Sequence, residues 1–168
     1  GTIVVEKLRG IGISNAHILS NLIISVMTEA GLNATQYTNS NSMKWSKLLT
    51  NLTANAASAI LCMTPAEILS DKFLFKMEIE QLRETLNVMR SIGIPVSNLP
   101  GTPVKLFAFL VRFVPRFISK GILTKAMASG RGAKMPSFYI DLVSGRKKSE
   151  VEYLNGAVVR FGEKFNLN

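Results

Sequence analysis

The sequence predicts an all-α domain preceded by one strand and one helix left over from an α/β unit. Three observations predict it. Apolar residues recur at helical spacing between residues 44 and 165. No convincing strand pattern follows residue 42. The opening "TIVVE" is a strand-forming run, and the "NAHILSNLIISVMTEAG" that soon follows is amphipathic at the helical period. One strand and one helix cannot bury their own faces. Residues 1–38 are therefore expected to be the end of a cut-away α/β domain, and residues 39–168 a second, helical one.

The elements follow in order. "GIGIS" should turn the chain after the strand, with Ser14 as N-cap of the first helix and Gly31 closing it. "NATQYTNSNS", residues 33–42, is polar and rich in turn formers and marks the boundary. Residues 44–63 read as one long helix. Thr64 can cap a short helix beginning at Pro65, and Asp71 can cap the next, which Gly93 closes. "IPVSNLPGTP" is a loop with three prolines. Residues 104–129 read as two helices broken near Pro115, and "GRGAK" as a glycine-rich hinge or loop. Residues 136–143 form a short helix that Ser144 and Gly145 break, and residues 146–165 read as the last helix.

The chain has 168 residues, 47% of them apolar, enough for a real core. Its single cysteine, Cys62, excludes an intrachain disulfide, and its "AILCM" setting predicts a core position. No secretory signal is visible. The apolar run "LFAFLV" is far short of the ~20 residues that span a bilayer, so the expected location is cytoplasmic. The net charge of +9 is concentrated. Residues 103–148 hold ten basic side chains against Asp141 alone, and the rest of the chain is neutral. Such a field favours an anionic partner.

Two stretches carry candidate chemistry. In "KWSKLLTNLTANAASAI", Lys47, Asn51 and Asn55 stand four residues apart, about 40° from one another around a helix. Asn is a poor interior helix residue. Aligned with a lysine in apolar surroundings, two of them suit a cleft that grips an anionic, oxygen-rich small molecule. A solvated surface stripe is the plain alternative. In "PSFYIDLVSGRKKSEVEYLNG", Ser137 and Asp141 share a helix face, and Glu150 stands in the first turns of the last helix. Glu150 is favoured there by the helix dipole alone. Asp141 could equally serve as a cap or as partner to a neighbouring arginine.

Together these stretches resemble the ketopantoate reductase (2-dehydropantoate 2-reductase) family. The first is similar to that family's W-x-K-x-x-x-N-x-x-x-N helix. The second, extended through "AVVRFGEKFNL", is similar to its S-x-x-x-D…G-R…[ST]-E-[IV]-[DE]-Y-[IL]-N-G signature. The resemblance implies a helical C-terminal domain of the 6-phosphogluconate-dehydrogenase-like type, preceded by the last strand and helix of a Rossmann domain. It implies an NADPH-dependent reduction of 2-dehydropantoate in pantothenate biosynthesis, with the cofactor held mainly by the absent Rossmann half. By motif position, Lys47 would be the catalytic lysine and Asn51, Asn55 and Ser137 would bind substrate. Glu150 would be the catalytic acid at the joint of substrate and cofactor, and Asp141 would support the site from behind. The expected partner is a small anionic 2-keto acid, with a homodimer allowed. No metal, nucleic acid or membrane is expected. This chain alone is expected to fold but not to catalyse.

The sequence departs from the pattern at Lys134, where some members have Asn, and at Thr64–Pro65. The interval from Asp141 to Glu150 is one residue longer than in some members. These departures bear on the substrate. A related 2-keto acid reductase is the first alternative. A basic helical module binding nucleic acid or an anionic membrane surface is the second, supported by "KLFAFLVRFVPRFISKG" and recognisable by steeply salt-dependent binding.

Overall fold

The computed structural model describes residues 10–129, 134–146 and 150–167. The expected strand "TIVVE" and most of "GRGAK" lie outside them.

The described chain begins with a βαβ unit. Strand β1 (Ile11–Ser14) and strand β2 (Ala34–Tyr37) pair in parallel, Ile11 opposite Ala34, and helix α1 (Ser20–Glu29) connects them. Parallel strands need such a crossover. This corrects two expectations. "GIGIS" is a strand rather than a turn, and the polar boundary segment contains a second strand. β2 has no apolar alternation that would announce it, and Ile11 and Ile13 of β1 alternate only over four residues beside two glycines; each strand is ordered by pairing with the other. Helix α1 also starts later than expected, with Leu19 rather than Ser14 at its N-cap. Gly31, at φ +78°, closes it as expected.

The remaining named elements among the described residues are helical. Helices α2 (Ser40–Leu52), α3 (Asn55–Leu61), α4 (Pro65–Ser70), α5 (Lys72–Ser91), α6 (Val104–Phe113), α7 (Arg116–Ser129) and α8 (Ser137–Val143) are followed by a 3-10 turn (Glu150–Glu152) and helix α9 (Asn155–Lys164). Helix α5 is the axis of the domain. Its buried residues Phe75, Ile79, Leu82, Leu86 and Met89 recur every three or four positions. Helices α2, α4, α6 and α9 pack on it. Leu49 and Leu52 of α2, Leu69 of α4, Val111 of α6 and Leu123 of α7 complete the core. Each such side chain contributes about 1.5–3 kcal/mol by leaving water.

The helix ends follow the expected chemistry. Thr64 and Glu67 form a reciprocal capping box at α4, with Pro65 at its start. The Asp71 carboxylate accepts from the N–H groups of Phe73 and Leu74, each at 2.8 Å. Gly93 closes α5 at φ +67°, and the break near Pro115 separates α6 from α7.

Three expectations are corrected here. Residues 44–63 are two helices, because Ala54 adopts φ +52° and ends the ladder between α2 and α3. A left-handed alanine costs about 1–2 kcal/mol, so its surroundings must hold it. Residues 146–165 are likewise not one helix; the 3-10 turn precedes α9. Cys62 is exposed rather than buried, because it too is left-handed, at φ +54°, and turns the chain out as α3 ends.

Polar bonds tie β2 and α2 to the loop between α5 and α6. The Tyr37 hydroxyl donates to Asn98 O at 2.8 Å, and burial raises its pKa above the usual phenol value. Ser42 Oγ donates to Pro95 O at 2.6 Å and contacts Ser97 Oγ. Ser46 Oγ accepts from Ser97 N at 2.8 Å.

Candidate functional site

The break between α2 and α3 reshapes the polar stripe read from the sequence. Lys47 and Asn51 stand on α2, Asn55 at the first position of α3. The three descend from surface to interior. Lys47 is exposed, Asn51 half-buried, and Asn55 only 4% exposed. They are therefore not the straight line that a continuous helix would make. The Asn55 amide oxygen is buried and meets no hydrogen-bond donor among the described residues. Three residues later, Ser58 Oγ is in the same condition. Buried acceptors are normally satisfied, so Asn55 is available to a ligand hydroxyl.

Helix α3 packs against α8. That contact sets the helix that Asn55 opens against the helix that Ser137 opens. Ser137 Oγ donates to Glu150 Oε2 at 3.5 Å, joining α8 to the 3-10 turn. Both side chains are exposed. Asp141 has a partner of its own: its carboxylate accepts from Arg146 Nη1 at 2.9 Å, an ion pair that pins the chain after the Gly145 turn. The arginine partnership raised as an alternative for Asp141 is thus present.

Four residues hold this region to which sequence reasoning assigned no role: Trp45 and Asn155, which stand inside the motifs, and Glu78 and Gln81, which do not. Trp45 packs edge-on against Phe161, ring centres 5.4 Å apart, and so fixes α2 to α9. Glu78, on α5, is 4% exposed, and its Oε2 accepts from Ala54 N at 2.7 Å. Gln81 Nε2 donates to Leu52 O at 3.2 Å, and Gln81 Oε1 accepts from Asn155 Nδ2 at 3.3 Å. A signal for Glu78 existed. It occupies a core-facing position between Phe75 and Leu82 in the apolar repeat of α5, where an acid is out of place.

Part of the basic segment serves the fold. Arg116 pairs with Glu80, Lys120 Nζ donates to Ser70 O at 3.1 Å, and Arg112 lies over the Phe113 ring at 5.7 Å. No helix among the described residues is long and apolar enough to cross a membrane.

The described chain is thus a helical domain that carries Lys47, Asn51 and Asn55 along α2 and α3 and is entered through a βαβ unit. Residues 39–168 match the family described as ketopantoate reductase PanE/ApbA C terminal, and the chain belongs to that family. A 2-dehydropantoate 2-reductase of Pyrobaculum aerophilum is 29% identical over 124 residues, covering 74% of this chain and 37% of the relative. A PanE/ApbA family ketopantoate reductase from Ralstonia eutropha JMP134 superposes with a TM-score of 0.72 at 20% identity, over 95% of this chain and 47% of that one. D-mandelate dehydrogenase in complex with NADH gives 0.70 at 22% identity, over 94% and 48%. The two solved structures share the fold. The chain spans less than half the length of each of these proteins.

Proposed function

We propose that this chain is the substrate-binding and catalytic part of an NADPH-dependent reductase that converts 2-dehydropantoate to pantoate. The observation that carries the reading is the buried, partnerless Asn55 oxygen on a helix packed against the one that bears Ser137. It leaves a polar demand that a hydroxylated substrate meets.

The residues divide the work by chemistry. Asn51 and Asn55 orient the substrate through their amides, Asn55 accepting from its hydroxyl. Ser137 donates to its carboxylate. Lys47 faces the ketone oxygen. As that oxygen gains negative charge, the ammonium stabilises it and then donates the proton. The exposed Glu150 carboxylate suits the hydroxyls of a cofactor ribose, which it can accept from. The reduced nicotinamide, when bound, supplies the hydride. The grip on the cofactor phosphates falls to the part of the protein outside this chain.

The test is steady-state reduction by the full-length protein of 2-dehydropantoate and of other branched or aryl 2-keto acids, with NADPH and NADH. A preference of at least about tenfold in kcat/KM for 2-dehydropantoate is expected, which corresponds to one good polar contact. A higher kcat/KM for another 2-keto acid would assign the site to a related reductase. That second reading is favoured by Lys134, exposed three residues before Ser137 where some family members place an asparagine.

A further inference from the structure

The α2–α3 break leaves unsatisfied groups of both polarities. Leu52 O ends one helix and Ala54 N begins the next. Two side chains of α5 meet them with the opposite polarity in each case. Glu78, an acceptor, takes the N–H of Ala54, and Gln81, a donor through Nε2, takes the carbonyl of Leu52. Residues three apart on a helix share a face, so one face of α5 grips the break from both ends. Gln81 also binds Asn155, the first residue of α9, just beyond the turn that carries Glu150. A carboxylate at 4% exposure in a leucine-rich core is costly without such employment.

We propose that Glu78 and Gln81 are positioning residues: from one face of α5 they hold the Leu52–Ala54 break and thereby set the direction of Asn51 and Asn55 toward the substrate. This rests on the substrate-binding role proposed above for the two asparagines. Without the break, Asn55 would continue the helical line of Lys47 and Asn51. With it, Asn55 is buried at the start of a helix that packs on α8. Ala54 holds its left-handed conformation without being glycine because its N–H is fixed by a short bond to a buried carboxylate.

The experiment compares Glu78→Gln with Glu78→Ala in the full-length protein. Glutamine keeps an oxygen for Ala54 N; alanine does not. In Glu78→Ala the Ala54 amide, followed by hydrogen exchange without substrate, should lose its protection. KM for 2-dehydropantoate should rise about tenfold or more while kcat changes less than about threefold, the signature of displaced binding groups. Glu78→Gln should keep both the protection and the KM within about twofold. Equal damage in the two variants would overturn the proposal, because it would make charge rather than the acceptor the essential property. Lost protection with KM unchanged would also overturn it, since the clamp would then serve stability alone. If Glu78→Ala does not fold, Gln81→Leu replaces it: KM must rise there too while Glu78→Gln stays near wild type. A wild-type protein that reduces no 2-keto acid would instead break the functional reading, and the Ala54 exchange would still test the clamp.

Discussion

The two walls of the candidate site are built differently. The α2–α3 wall is rooted in the core. Leu49 and Leu52 are buried beside it, Trp45 locks α2 to α9, and the break is held by Glu78 and Gln81. The opposite wall is light. Helix α8 has no fully buried residue, and the link from Ser137 to Glu150 is one exposed 3.5 Å bond. The difference separates two tasks. A buried acceptor such as the Asn55 oxygen discriminates, because a ligand that fails to satisfy it leaves the desolvation cost uncompensated. In the proposed function, exposed groups such as Ser137 and Glu150 compete with water, discriminate less, and adjust as substrate and cofactor arrive.

The comparison is broken first at Lys47, which stands at the rim of the rooted wall. Lys47→Ala in the full-length protein should lower kcat by about 10²–10⁴-fold, the worth of a positioned general acid. Near-wild-type turnover in a folded variant would remove Lys47 from the chemistry. Next comes the contrast between the walls. Asn55→Ala should raise KM by about 10–100-fold, as expected for a desolvated bond to a polar ligand. Its melting temperature should barely move, because the amide oxygen has no partner to lose within the described fold. Ser137→Ala should raise KM only about 2–5-fold, given its exposure. A Ser137 effect larger than that of Asn55 would invert the assignment of the two walls. A large drop in melting temperature for Asn55→Ala with KM unchanged would make that residue structural.

Asp71→Ala provides the control outside both walls. It deletes two capping bonds at α5, so stability should fall by about 1 kcal/mol, as for other N-caps, with KM unchanged. A KM shift in this variant would mean that α5 transmits any disturbance to the site, and the specific role given to Glu78 would weaken.

What the sequence made legible follows the range of the forces involved. Helix caps at Thr64 and Asp71 and closing glycines at 31, 93 and 145 are local chemistry, and they stand where the residues predicted them. The helical class and the family motifs were legible for the same reason. The strands were not, because Ile11–Ser14 and Ala34–Tyr37 owe their conformation to each other across twenty residues. Nor was the α2–α3 break. Ala54 is a strong helix former, and the bond that its left-handed N–H makes reaches a carboxylate 24 positions away, that of Glu78. The motif spacing placed Lys47, Asn51 and Asn55 on one stripe but could not show that the stripe bends inward at its last member.

The smallest expected effect lies at the α4 cap, far from either wall in function. Glu67 accepts from Thr64 Oγ1 and from Thr64 N, each at 2.7 Å. These bonds, the side-chain one first, lower its pKa below the usual 4.5. The unfolded chain therefore binds this proton more readily than the folded one. The stabilisation is complete above the usual value and is lost as pH falls through the lowered one. Thr64→Ala removes the larger cause. The gap in melting temperature between wild type and Thr64→Ala should accordingly be widest near neutral pH and narrow as the solution is acidified below about pH 4.5. Other carboxylates titrate in both proteins and cancel in the difference. Because Glu67 is fully exposed, added salt should shrink the pH-dependent part of the gap. A gap that stays constant on acidification would mean that the cap works through the threonine's bond to Glu67 N alone, with no contribution from the carboxylate's charge.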